Sequence, residues 1–275
     1  LAQSKKGGPS KSSKPVAKAK VAAAKPETPF DDTVAKFPPA FGGNTVEWVL
    51  KHRTIPPKGE FETTAEYNQR LEKFQSELYV FVPDEPENFE YDADAETFSA
   101  KIYPDITNVH SRIGWYFRPF DIHQTKLSES TYVGSNAFGA EALVTKTKSK
   151  VTQLVVSETE DILRYSFDSI DISFKLPRDR ARSVKPNLRV AFICSPKPEQ
   201  FAPATPSDVN GATGYDISEA TIDSPTERWT YYVALRAELR QIWVFDRSTG
   251  EVFGRFLPNG TQIDAPIPFI EQPAG

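Results

Sequence analysis

One cysteine, three histidines and no methionine occur in 275 residues, and each scarcity removes a class of chemistry. A single thiol leaves no intrachain disulfide framework and no zinc site built on paired cysteines. Cys194 sits in the apolar run Val190-Ala191-Phe192-Ile193-Cys194, where it reads as a small buried hydrophobe rather than a reactive thiol. His52, His110 and His123 are far apart and lack the i, i+4 or paired spacing that places two imidazoles on one metal. No Gly-x-Ser-x-Gly elbow and no phosphate-cradling glycine loop occurs. No apolar run reaches the length that crosses a bilayer as a helix. The sequence therefore names no catalytic, metal or cofactor residue.

Prolines and aromatics are plentiful instead, with 23 Pro and 19 Phe. That balance suits short strands separated by turns. Charge is split unevenly. Residues 1–28 hold seven lysines against one acid, Glu27, a net +6, which leaves −10 for the remainder of a chain whose total is −4. An acidic body disfavours nucleic acid as a partner, because phosphate binding needs a basic surface. The basic segment is also low in complexity and has almost nothing apolar to bury, so it reads as a flexible Lys/Ala/Pro-rich arm. The sequence opens on Leu1-Ala2-Gln3, which fits the small-residue end of a cleaved secretory leader. The expected location is periplasmic or secreted.

Three segments follow from the patterning: an arm over 1–36, a strap plus short helix over 37–77, and a β-rich body over 78–275 of one or two subdomains. In the strap region Phe30, Phe37, Phe41 and Trp48 recur among prolines, as expected of an extended chain laid on something apolar. A helix is predicted over Thr64–Gln75. Thr63 and Glu66 have capping-box spacing, and Tyr67, Leu71, Phe74 and Leu78 form one stripe expected to be buried. A shorter helix is predicted at Val46–Lys51.

From Leu78 the period drops to two. Strands are predicted at Leu78–Val82, Phe89–Tyr91, Thr97–Ile102, Gly114–Phe117, Ala140–Thr145, Val151–Val156, Ile162–Phe167, Ile170–Phe174 and Leu188–Cys194. The longest alternation is Trp229–Phe245. Its odd positions are apolar except Gln241, and Arg236, Glu238 and Arg240 lie on the even face, so one face is expected buried and the other wet. The helix propensity of Ala234–Gln241 keeps a helical insert as an alternative. Asp246-Arg247-Ser248-Thr249-Gly250 then reads as a hairpin turn with Gly250 left-handed. The fold class is mainly β, an antiparallel sandwich-like body with one or two short N-terminal helices and an extended N-terminal arm.

Candidate sites follow from charge and aromatic density. Asp92, Asp94 and Glu96 alternate, and Asp208, Asn210 and Asp216 surround Gly211 and Gly214; both stretches offer calcium-type oxygens but read first as acidic turns. Lys175, Arg178, Arg180, Arg182, Lys185 and Arg189 form the basic cluster of the body, with a helical turn expected at Arg178–Ser183. Trp115-Tyr116-Phe117-Arg118-Pro119-Phe120 is dense in rings that suit a core strand, an interface or a sugar platform. Asn259-Gly260-Thr261 has the form of a glycosylation sequon.

The segment Lys58-Gly59-Glu60-Phe61-Glu62-Thr63-Thr64-Ala65-Glu66-Tyr67-Asn68-Gln69-Arg70 resembles one in uncharacterised bacterial envelope proteins, where a Glu-Phe-Glu-Thr stretch and a short helix precede a β-rich body. Tyr132–Gly139 is similar to part of such a body. The resemblance implies export and carries no activity. The first functional reading is a non-catalytic binding or scaffold protein of the bacterial periplasm, accessory to a larger and membrane-embedded assembly. Its expected partner contacts are Lys5, Lys6, Lys11, Lys14, Lys18, Lys20, Lys25, Phe30, Phe37, Phe41, Trp48, Trp115, Arg178, Arg180 and Arg182. A carbohydrate- or peptidoglycan-binding module is the alternative, and a hydrolase with scattered carboxylates is third.

Overall fold

The computed structural model describes residues 29–52, 57–103, 119–135, 138–156, 169–196 and 212–264. Helix α1 spans Val46–His52 and α2 spans Thr64–Ser76. Strands β1 (Tyr79–Phe81), β2 (Glu90–Asp92), β3 (Thr97–Ile102), β4 (Pro119–Ser135), β5 (Glu141–Val156) and β6 (Ile170–Lys175) follow. Helix α3 covers Arg178–Val184, and β7 (Leu188–Pro196), β8 (Ala212–Ser218), β9 (Thr226–Asp246), β10 (Val252–Phe256) and β11 (Gln262–Asp264) complete the described chain. The protein is mainly β with short helices. The predicted strands at 114–117 and 162–167 lie outside the described residues.

Two sheets face each other. The larger runs β1-β7-β9-β10-β11, with β4 paired to β5, and β5 and β8 paired to β9; the smaller is β2-β3-β6. The pairings are antiparallel except β5 with β9, which run parallel from Thr145↔Thr226 to Val156↔Ala237. Between the sheets lies the main core. Phe98, Phe174 and Phe89 from the small-sheet side meet Leu188, Val190, Phe192, Ile242, Val244 and Phe253. Phe174 and Phe253 stack at 6.0 Å across the gap, as two inner sheet faces require.

A second core lies on the opposite face of the large sheet. Here Phe37 and Phe41 from the strap cover Val80, Ala191, Ile193, Trp243 and Phe245. Phe37 stacks on Phe41 at 4.5 Å and tilts against Trp243 at 5.3 Å. The strap is fastened by its backbone. The Phe37 N–H donates to the Gly250 carbonyl at 2.8 Å, the Ala40 N–H to Arg247 at 2.8 Å, and the Asn44 N–H to Val80 at 2.6 Å. Asn44 Oδ1 returns a bond by accepting from the Val80 N–H at 2.9 Å. The Arg255 guanidinium lies 4.1 Å above the Trp243 ring and donates to the Val34 carbonyl at 2.7 Å.

Strand β9 carries this two-sided arrangement by changing parity. Val233, Leu235, Ala237 and Leu239 face the main core, and so do Ile242 and Val244. The switch from odd to even follows a register shift opposite Ile193 and Cys194, where Ile193 pairs with Gln241 but Cys194 pairs with Leu239. Arg240 is the extra residue of a β-bulge. Past it, Trp243 and Phe245 turn to the strap side, and the Trp243 indole N–H donates to Gln241 Oε1 at 2.7 Å. The strand is continuous, so the helical alternative for 234–241 does not occur. The expectation of one buried and one wet face fits Ala237–Arg240; before it Tyr232 on the even face is buried too, and past the bulge both faces are.

Helix α2 has the predicted capping box. The Glu66 N–H bonds Thr63 Oγ1 at 3.2 Å and the Thr63 N–H bonds Glu66 Oε2 at 2.8 Å. Its stripe is covered less than expected: no residue of α2 is buried, because the helix touches the body mainly near β7.

Candidate functional site

Beyond Phe120, Ile122 and Leu154, the hairpin β4–β5 and the part of β9 before Val233 belong to neither core, although Val144 and Val151 are buried within the hairpin. With β8 they form a four-stranded wing. On one face of the wing Lys146 lies opposite Glu227 and Lys148 opposite Trp229. Glu227 accepts from the Lys146 ammonium at 2.6 Å, from the Tyr132 hydroxyl at 2.8 Å, and from the Trp229 indole N–H. These bonds, that of Lys146 foremost, hold its carboxyl down at about 2. The Lys146 ammonium also sits 4.5 Å from the Trp229 ring centroid. On the other face Val133 pairs with Leu143, and the two are 65% and 64% exposed. An apolar pair opposite each other on a projecting ribbon has nothing to gain from solvent.

A cleft of about 500 Å³ lies on the outer face of the small sheet. The ladder fixes its floor: Glu90, Ser99 and Ser173 form one row across the three strands, and Lys101 and Asp171 form the next. Tyr103, 58% exposed, and Glu87 close its sides. Burial pushes the Glu87 carboxyl up to about 7. Lys101 and Asp171 are directly opposite yet form no ion pair with each other; Asp171 instead accepts from Ser169 Oγ at 2.6 Å.

The residues expected to meet a partner are scattered. Lys5, Lys6, Lys11, Lys14, Lys18, Lys20, Lys25 and Trp115 lie outside the described residues. Phe37 and Phe41, at 2% and 4% exposure, pack inside the chain's own second core, because the apolar surface beneath the strap belongs to the same molecule. Phe30 joins them, 5.3 Å from Trp243. Trp48 is half-buried against the main core and stacks on His52 at 5.1 Å. The basic cluster is spread over the end of β6, α3 and the start of β7. α3 is the expected helical turn, with Ala181 and Val184 buried; Arg180 pairs with Glu251 at 2.7 Å and lies over Phe253, while Arg178 and Arg182 are exposed.

Of the other sequence candidates, His110, Tyr116, Phe117, Asp208, Asn210 and Gly211 lie outside the described residues, and several of those described resolve into turns and surface pairs. Asp92 Oδ1 accepts from the backbone N–H groups of Asp94 and Ala95 at 2.9 and 3.0 Å, an Asx turn between β2 and β3. His123 pairs with Asp84 beside the Lys150–Glu47 bridge at 2.7 Å. Among the described residues no group of three or more His, Cys, Asp or Glu side chains is placed to hold a metal ion. Cys194 is fully buried and its thiol is pushed well up by that burial. The wing and the cleft were both missed by the sequence reading. The alternating lysines Lys146, Lys148 and Lys150 were the available signal for the first, and the polar outer positions of β3 and β6 for the second.

No family model, no curated protein and no solved structure matches the chain.

Proposed function

We propose that this chain is a non-catalytic binding or scaffold protein of the bacterial periplasm, an accessory subunit that docks onto a larger, membrane-embedded assembly. The observation that carries the reading is the wing. The body carries an apolar core on each side of the large sheet, strap included, whereas the wing extends from it with Val133 and Leu143 facing water. An exposed apolar pair on a projecting ribbon, with the Lys146–Glu227 network on the ribbon's opposite face, is suited to anchor an interface. The arm, with its net +6 over residues 1–28, adds a salt-sensitive electrostatic contribution to the same docking.

The test compares tagged full-length chain with the double variant Val133→Ser/Leu143→Ser, each purified from native membranes. A specific protein should travel with the wild type and be lost from the variant, while both proteins melt at the same temperature. An identical set of companions with both chains would overturn docking through the wing. Release of the chain by osmotic shock should place it in the periplasm; retention in the spheroplast would remove that part of the proposal. No transmembrane helix is needed for such a role, and among the described residues no helix is long and apolar enough to span a bilayer.

A further inference from the structure

The cleft on the small sheet is separate from the wing, and its chemistry can be read on its own. Its polar groups point outward from a rigid floor, since Phe98, Ile102 and Phe174 anchor the same strands in the main core. Glu87, Glu90, Lys101 and Tyr103 make no hydrogen bond or ion pair within the described chain. Other charged groups are paired, as in Arg70–Glu62 at 2.8 Å and Lys146–Glu227 at 2.6 Å; what marks the cleft is that its open groups share one concavity. A concave patch that keeps acceptors, donors and an aromatic ring open together is set up for a ligand that offers all three complements.

The ligand class follows by exclusion. An apolar molecule would desolvate Glu90, Lys101 and Asp171 without replacing their water bonds. An anion would meet three carboxyl groups, Glu87, Glu90 and Asp171, against one ammonium, and a simple cation would meet Lys101. A hydroxylated ring escapes both problems: each hydroxyl donates to a carboxylate or accepts from the ammonium, and the C–H face of the ring packs on Tyr103. The strand spacing of roughly 4.8 Å and the side-chain repeat of roughly 7 Å along each strand present these groups as a lattice rather than as a single point. That spacing suits a chain of rings.

We propose that this cleft binds a neutral oligosaccharide, with Tyr103 as the platform and Glu90, Lys101 and Asp171 as the hydroxyl-reading groups. Its volume, about 500 Å³, falls in the range of small-molecule sites.

Titration calorimetry of the full chain against cellohexaose, an N-acetylglucosamine hexamer and a galacturonate hexamer tests the assignment. At least one of the two neutral hexamers should bind, and Tyr103→Ala and Asp171→Ala should each weaken it about tenfold or more without moving the melting temperature. The galacturonate hexamer should not bind. Failure of both neutral hexamers at millimolar concentration, equal binding of the galacturonate, or full affinity in both variants would overturn the proposal. The wing variant Val133→Ser/Leu143→Ser should bind the sugar as the wild type does, so loss of one function leaves the other readable.

Discussion

The two halves of β9 are one strand in two solvents. From Thr226 to Val233 it runs through the wing, where half-exposed residues predominate; from Ile242 to Asp246 every residue is buried. Part of the difference lies in the strand, since residues 226–230 include Thr, Glu and Arg whereas Ile242–Phe245 is apolar throughout. The rest comes from a segment some two hundred positions earlier in the chain. The strap supplies the second cover in the body, and nothing in the described chain supplies an equivalent cover for Val133 and Leu143. The strap thus gives the body a second apolar core, whereas the wing leaves Val133 and Leu143 open to solvent.

The largest effect should come from removing what the strap covers. Trp243 is fully buried between Phe30, Phe37 and the Arg255 guanidinium. Trp243→Ala should cost ~3–5 kcal/mol, the usual loss for a buried aromatic. The midpoint of urea unfolding measures it, and limited proteolysis should cut the variant within 31–40 first. A loss under ~1 kcal/mol would mean the strap is not integral to the fold.

Two glycines sharpen the contrast, because their backbone is the same and only their surroundings differ. Gly250 and Gly139 both adopt φ +79, but a Cβ on Gly250 would lie 1.8 Å from the Phe37 carbonyl oxygen, whereas one on Gly139 would meet nothing within 4 Å. Gly139→Ala should cost only the left-handed strain, ~1–2 kcal/mol. Gly250→Ala should add displacement of the strap, for ~2–4 kcal/mol in total. Equal losses at both positions would show that the strap yields freely.

Acid–base behaviour separates the regions by sign. In the body, burial holds the Glu87 carboxyl up at about 7, above its unfolded value of about 4.3. Stability should therefore fall as pH rises from about 4.3 through 7 and then level, since the folded state must ionise a group it prefers neutral. A shift of that size corresponds to ~3 kcal/mol; partial exposure of the carboxyl lowers the expectation to ~1–2 kcal/mol. Glu87→Gln should flatten the slope. In the wing, Glu227 is held at about 2 by Lys146, Trp229 and Tyr132. Its contribution is present above the unfolded value and is lost as pH falls through about 2, the opposite sign. Unfolding midpoints across pH 2–8 for wild type, Glu87→Gln and Glu227→Gln resolve the two.

What the sequence could and could not reveal follows the same division. Local rules were legible: the Thr63–Glu66 box, the limits of β3, the left-handed Gly250 and the α3 turn all arise from residues within a few positions of one another. Long-range placement was not. β4 escaped notice because register shifts beside Ile122 and Leu127 break its alternation, so its seventeen residues show no steady period. The bulge at Arg240 likewise explains why Gln241 interrupted an otherwise apolar set. The strap aromatics were correctly read as lying on an apolar surface, but that surface is made by residues 80–82, 191–193 and 243–245 of the same chain. The candidate cleft depends on three strands from distant positions, and a pattern of single polar residues gives no warning that they form one row.

The smallest expected effect is the most pointed, because it is a leucine that should hardly matter to folding. Leu235 and Leu143 both lie in the large sheet; the first is 0% exposed and the second 64%. Leu235→Ala removes a packed side chain and should cost ~2–5 kcal/mol. Leu143→Ala removes one that is already mostly hydrated, so the change in unfolding free energy should stay within ~0.5 kcal/mol, the scale of an ordinary surface substitution. Chemical denaturation of the isolated chain measures both. If Leu143→Ala were as costly as Leu235→Ala, the wing tip would be packed against its own chain and would have no apolar surface left to offer. If it is neutral alone but weakens recovery of the docking partner, the side chain is held in water by selection for an interface rather than for the fold. Its contact area then appears only when the partner covers it.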